Sequence, residues 1–165
     1  MTEFNRLRTA ADFWQKIVVP DCNDYSAKPS DLRLALHTAI SLFHLHDWVF
    51  VSHESQVRNQ FNFRDKNNSV QPVSDAKTFA NSLEQAHGDF GLIRSVANAA
   101  KHLGLSDRRP VLGAANNAAN TYSTSTGGGA ARVVLEGPNG DLEFMDIAQS
   151  VFKMWEKLDH LHGWW

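Results

Sequence analysis

Arg33, His37, Ser41, His44, Asp47 and Trp48 recur at spacings that put them on one side of a single helix. With His37 at the origin, a turn of about 100° per residue sets His44 near -20°, Trp48 near +20°, Ser41 near +40°, Arg33 near -40° and Asp47 near -80°. The rest of this segment is almost wholly apolar, so the stripe has to meet polar partners or water. The chemistry it offers is acid–base. His44 and Asp47 stand one turn apart, and a carboxylate beside an imidazole fixes its tautomer and favours its protonated form. The same residues also suit a helix edge that simply faces solvent. His46 falls near 180°, among Ala35, Ala39 and Phe50, and is expected to be a core histidine bonded to a backbone group.

A second set lies between Gly91 and His102. With Arg94 at the origin, Lys101 falls near -20°, Asn98 near +40° and His102 near +80°, with Leu92, Val96 and Ala99 on the opposite side. This polar face contains no acid. Arg and Lys can hold phosphate, and His moves protons near neutral pH. The solvated face of an ordinary amphipathic helix has the same pattern.

The run Asn98-Ala99-Ala100-Lys101-His102 resembles part of the motif of the HEPN family (higher eukaryotes and prokaryotes nucleotide-binding). There an Arg, a polar residue that is often Asn, a spacer and a His share one helix. Asn98 matches the polar position and His102 the histidine. Ala97 stands where many members have Arg, and the nearest Arg is Arg94, one turn earlier. The chain is also similar to bacterial proteins of no established activity with a His-x-x-acid-Trp on an early helix, here His44, Asp47 and Trp48. Those proteins continue with an Asn-x-x-Lys-His helix, a Gly-rich loop and a final helix like Ala148 to Trp155.

The HEPN resemblance implies a protein acting on RNA or a nucleotide, for instance as a metal-independent ribonuclease without a cofactor. His102 would then be general base or acid, Arg94 and Lys101 would stabilise charge on phosphate, and Asn98 would orient it. His44 and Asp47 would line the other wall. Family members often set two copies of the motif across an interface, which implies a homodimer.

Helices must position these residues. Phe4, Leu7, Ala11, Trp14 and Val18 predict a first helix capped by Thr2 and stopped by Pro20, with a loop over 20–30. Ser30 is expected to cap a central helix over 31–52, apolar on nearly every side. A short helix within 54–64, a polar loop from Asp65 to Pro72, and helices over 75–87 and 89–103 follow. Residues 105–129 read as a long loop or lid, with an Asn/Ala run, a Ser/Thr run and Gly127-Gly128-Gly129. Arg132 to Glu136 and Leu142 to Phe144 flank a Gly-Pro-Asn-Gly turn and predict a hairpin. Asp146 is expected to cap the last helix. The fold class is mainly α: a bundle of about five helices with one small β-hairpin before the last helix, in one domain over 1–165. The central helix is expected to pack against 89–103.

Composition narrows the function classes. A net charge of -2 over 165 residues lacks the basic surplus of a nonspecific nucleic-acid binder, so any such contact needs a local patch. Cys22 is the single cysteine, which excludes an intrachain disulfide and a cysteine-rich zinc site. His37 and His44 lie roughly 10 Å apart along the helix axis, too far to share one ion, and no metal site is expected. There is no P-loop and no Gly-x-Ser-x-Gly elbow. No basic-then-apolar leader and no apolar run approaching about 20 residues stands out, so a cytoplasmic protein without a membrane segment is expected. A different function class fits the same residues: a non-catalytic interaction or regulatory module, for example in a defence or toxin system, with a protein partner. Trp164 and Trp165 either fold back onto the core or anchor such a partner.

Overall fold

The computed structural model describes residues 7–99, 111–115, 132–136 and 140–165. The chain runs through α1 (Ala10–Phe13), a π turn (Trp14–Val18) and α2 (Val19–Ala27) without a break. The side chain of Thr9 caps α1 by accepting from the backbone N–H of Asp12; the predicted cap, Thr2, lies outside the described residues. The loop predicted over 20–30 is helical to Ala27. The reason is a change of hydrogen-bond register: in the π turn the Val19 N–H donates to Trp14 O, five residues back. Pro20 therefore falls in the first turn of α2, at the join between the two hydrogen-bond registers, where a residue without an N–H is accommodated.

The central helix, α3 (Leu32–Ser52), begins one residue later than predicted. Asp31, not Ser30, caps it, its carboxylate accepting from the N–H groups of Arg33 (2.9 Å) and Leu34 (3.1 Å). By length and composition α3 is long and apolar enough to cross a membrane, which the sequence reading did not anticipate because the polar stripe interrupts the apolar run. Here 61% of that apolar window is buried inside the protein.

After α4 (Glu54–Gln60), the stretch predicted as a polar loop forms a small antiparallel hairpin, β1 (Asn62–Arg64) with β2 (Val70–Pro72), Phe63 opposite Gln71. The Asp65 carboxylate accepts from the N–H groups of Asn67 and Ser69, both at 2.9 Å, and closes the turn. Two helices follow, α5 (Ala76–Ala86) and α6 (Gly88–Ala99). Asp75 and Thr78 form a reciprocal capping box at the start of α5.

The predicted hairpin is present as β4 (Arg132–Glu136) and β5 (Leu142–Glu143), with Leu135 opposite Leu142. A further strand, β3 (Val111–Ala115), pairs with β4 inside the stretch predicted as a loop or lid, giving the order β3-β4-β5. The Ser/Thr run and Gly127-Gly128-Gly129 lie outside the described residues.

The last helix, α7 (Phe144–His162), starts two residues before its predicted cap, so Asp146 lies inside the first turn. There its carboxylate faces the positive end of the helix dipole. Gly163 closes α7 at φ 66°, a left-handed conformation that suits glycine.

The protein is thus mainly helical, with two small antiparallel sheets. The core gathers around Trp155 of α7, which is fully buried. Its indole N–H donates to Leu42 O of α3 (3.1 Å), and its ring meets the edge of Phe90 of α6. Phe43 and Phe90 hold α3 against α6. Both terminal tryptophans fold back. Trp164 is buried, donates to Gln56 Oε1 (3.1 Å) and stacks on His162, while Trp165 stacks on Trp14.

Candidate functional site

The stripe on α3 does not lie on a bare edge. His37, Ser41, His44, Asp47 and Trp48 line one groove of about 470 Å³, whose other wall is Phe13, Ile17 and Asp21 from α1, the π turn and α2. Their sharing of one face follows from helical period alone. What faces them follows from packing: Phe13 stacks on Trp48 with ring centroids 5.1 Å apart, and Thr38 donates to Asp21 O (3.1 Å), which draws the start of α2 against α3.

His44 Nδ1–H donates to Asp47 Oδ2 at 3.0 Å. With Nδ1 so engaged, Nε2 carries the lone pair of the neutral ring and is the nitrogen free to accept a proton. Among the described residues Nε2 has no partner. The other carboxylate oxygen, Asp47 Oδ1, lies 3.3 Å from His46 Nε2. His46 is buried, as expected of a core histidine, and its Nδ1–H donates to Phe43 O at 2.5 Å. Burial lowers the His46 pKa. The Phe43 carbonyl and Asp47 oppose that shift, while the charges of His44 and Arg94 add to it. Asp47 therefore joins an open imidazole on one side to a buried one on the other.

Asp21 completes the groove, and sequence reasoning missed it by assigning it to a loop. Burial raises its carboxyl pKa, against a hydrogen bond from Ser41 and the charge of His37, with Asp24 adding to the rise. An acid whose pKa is raised thus lines the same groove as an imidazole oriented by a carboxylate, and the histidine whose charge it meets is His37. The signal for Asp21 was Pro20 itself, which suits a helix start as well as a helix stop.

The second set is placed differently. Arg94 is turned toward α5, where its guanidinium donates to Asn81 Oδ1 and Glu84 Oε2, both at 2.8 Å. Neither Arg94 nor Asn98 lines the groove of His44 and Asp47. Asn98 is half-buried near the end of α6. Lys101 and His102 lie outside the described residues. The two sets approach each other through His46, whose ring feels the charge of Arg94. Among the described residues no group of three or more His, Cys, Asp or Glu is arranged to hold a metal ion.

The chain matches no protein-family model, no curated protein and no solved structure.

Proposed function

We propose that the groove between α3 and the π turn with α2 is an acid–base site acting on RNA or a nucleotide. His44 is its base, Asp47 orients that base, and Asp21 is its acid. The observation that carries this reading is the 3.0 Å bond from His44 Nδ1 to Asp47 in a groove that Asp21 also lines. Trp48, held flat by Phe13, supports the substrate class by offering a surface on which a base can stack. The resemblance around Asn98 and His102 supports the same class.

In RNA cleavage, His44 Nε2 takes the proton of a ribose 2′-hydroxyl. The 2′-oxygen attacks the adjacent phosphorus, the bond to the 5′-oxygen breaks, and the acid returns a proton to that oxygen. The products are a 2′,3′-cyclic phosphate and a free 5′-hydroxyl, and the step as written needs no metal. Among the described residues no Lys or Arg lines the groove, so the side-chain donors that a phosphate would meet there are imidazole, hydroxyl and indole groups.

The direct test incubates the full chain with a single-stranded RNA oligonucleotide in EDTA at low salt. Cleavage to cyclic-phosphate ends that His44→Ala abolishes is the expected result. His102→Ala run alongside reports whether the second histidine belongs to the same site, and sedimentation of the active protein tests the homodimer. A chain that neither cleaves nor binds RNA or nucleotides ends this reading.

One observation favours the second reading, a non-catalytic interaction module. Arg94 is engaged by Glu84 and Asn81, which takes from α6 the guanidinium a nuclease would use on phosphate. Under that reading RNA is untouched, and a protein partner protects the exposed side of α6 from hydrogen exchange.

A further inference from the structure

Two adjoining cavities lie on another side of α2, where it meets α7 and the sheet β4-β5. One, of about 220 Å³, is lined mainly by apolar surface, with Ala148 and Phe152 among its walls and one charge of each sign, Lys153 and Glu156, beside them. The other, of about 390 Å³, runs toward Val133 and Glu143. Tyr25, Ser26, Met145 and Gln149 line both. Tyr25 is almost wholly buried at 1% exposure, its ring held against Phe144, and among the described residues its hydroxyl finds no hydrogen-bond partner. A buried phenol without an acceptor is unusual, because the desolvated O–H is left unsatisfied.

We infer that the paired cavities at Tyr25 are a binding site for a small neutral molecule with an apolar tail and a carbonyl oxygen, which accepts the Tyr25 O–H. The tail fills the cavity beside Ala148 and Phe152, and the carbonyl sits at the junction where Tyr25 stands. Neutrality follows from the charges nearby. Lys153 and Glu156 give the first cavity no net charge, Glu143 lines the second, and burial together with that carboxylate pushes the Tyr25 phenol up to about 12, so an anionic acceptor there meets like charge. Arg132 does not offset this, because it is ion-paired with Glu143. An amide suits the site best, since its N–H can in turn donate to that carboxylate. This site is separate from the groove of His44, shares none of its lining residues, and does not depend on the reading given for that groove.

The test uses the full chain with ¹³C-methyl-labelled methionine and two probes, hexanamide and butylbenzene. Hexanamide is expected to bind saturably and to move the Met145 methyl resonance. Tyr25→Phe, which removes a hydroxyl without a hydrogen-bond partner among the described residues and so should leave the fold intact, is expected to weaken hexanamide about five- to tenfold. Butylbenzene has no acceptor and is expected to bind both proteins alike. Absence of saturable hexanamide binding, an unmoved Met145 signal, or equal hexanamide affinity in Tyr25→Phe would each overturn the assignment.

Discussion

The α3 groove and the α5–α6 face begin from the same kind of sequence signal and end in different places. Each is a polar stripe at helical spacing with a histidine or arginine at its centre. On α3 the stripe lies opposite α1, the π turn and α2, which contribute Phe13, Ile17 and one acid, Asp21. Among the described residues that wall holds no cation, and His44 has one hydrogen-bond partner, Asp47, and an open ring nitrogen. On α6 the stripe lies beside α5, which contributes Asn81 and Glu84, and both accept from Nη1 of Arg94 at 2.8 Å. A guanidinium held by two neighbouring side chains is fixed in place, whereas a ring nitrogen that opens into a groove is available to a ligand. The difference is set by the neighbouring element and not by the stripe.

The largest effect that could break this contrast is on turnover. His44→Ala is expected to reduce RNA cleavage by at least about 100-fold. Because the His44–Asp47 pair is partly exposed, urea denaturation should show little change in stability. Asp47→Asn should fall between wild type and His44→Ala. Unchanged cleavage in His44→Ala would mean that the groove is not the reacting site.

Arg94→Met should behave in the opposite way. Losing its bonds to Glu84 and Asn81 is expected to cost about 1–2 kcal/mol in urea denaturation, with cleavage retained. A variant of normal stability and no activity would move Arg94 from scaffold to substrate.

A smaller effect separates the two imidazoles joined by Asp47. Burial holds His46 below its ordinary pKa in the folded protein, so the unfolded chain takes up that proton first as pH falls. The stabilising contribution is complete above about pH 6.5 and is lost as pH drops from there toward the folded value. His162 is shifted the same way by burial and adds to the trend. The urea midpoint should therefore fall between pH 7 and 5, and His46→Gln should flatten that slope without removing it. A midpoint that is flat or rising over this range in wild type would contradict the burial argument.

The smallest effect sharpens the α5–α6 side. A Cβ on Gly91 would come within 2.9 Å of Glu84 Cγ, the side chain that holds Arg94. Gly91→Ala gains about 0.5–1 kcal/mol of helix propensity and loses an ion pair worth about the same, so net stability should barely move. Its salt dependence should move: added NaCl should weaken wild type slightly more than Gly91→Ala.

Period and local capping made much of this protein legible. The apolar faces of α3, α5 and α7 follow from residues three and four apart, and the core position of His46 follows from the same count. The grouping of His37, Ser41, His44, Asp47 and Trp48 on one face was equally readable, because neighbours on a helix are fixed by local geometry. Illegible were Asp21, Tyr25 and the partners of Arg94. Asp21 was hidden because a proline that opens a helix looks like one that closes it until the π turn is seen. The strand β3 was hidden because its partner β4 begins 17 residues beyond its end. Which polar face becomes a groove, which becomes a clamp, and which buried hydroxyl is left without an acceptor depend on elements distant in the chain. Sequence alone determined which side chains travel together; tertiary packing decided what each group meets, because hydrogen bonds and desolvation act across space and carry no record of sequence separation.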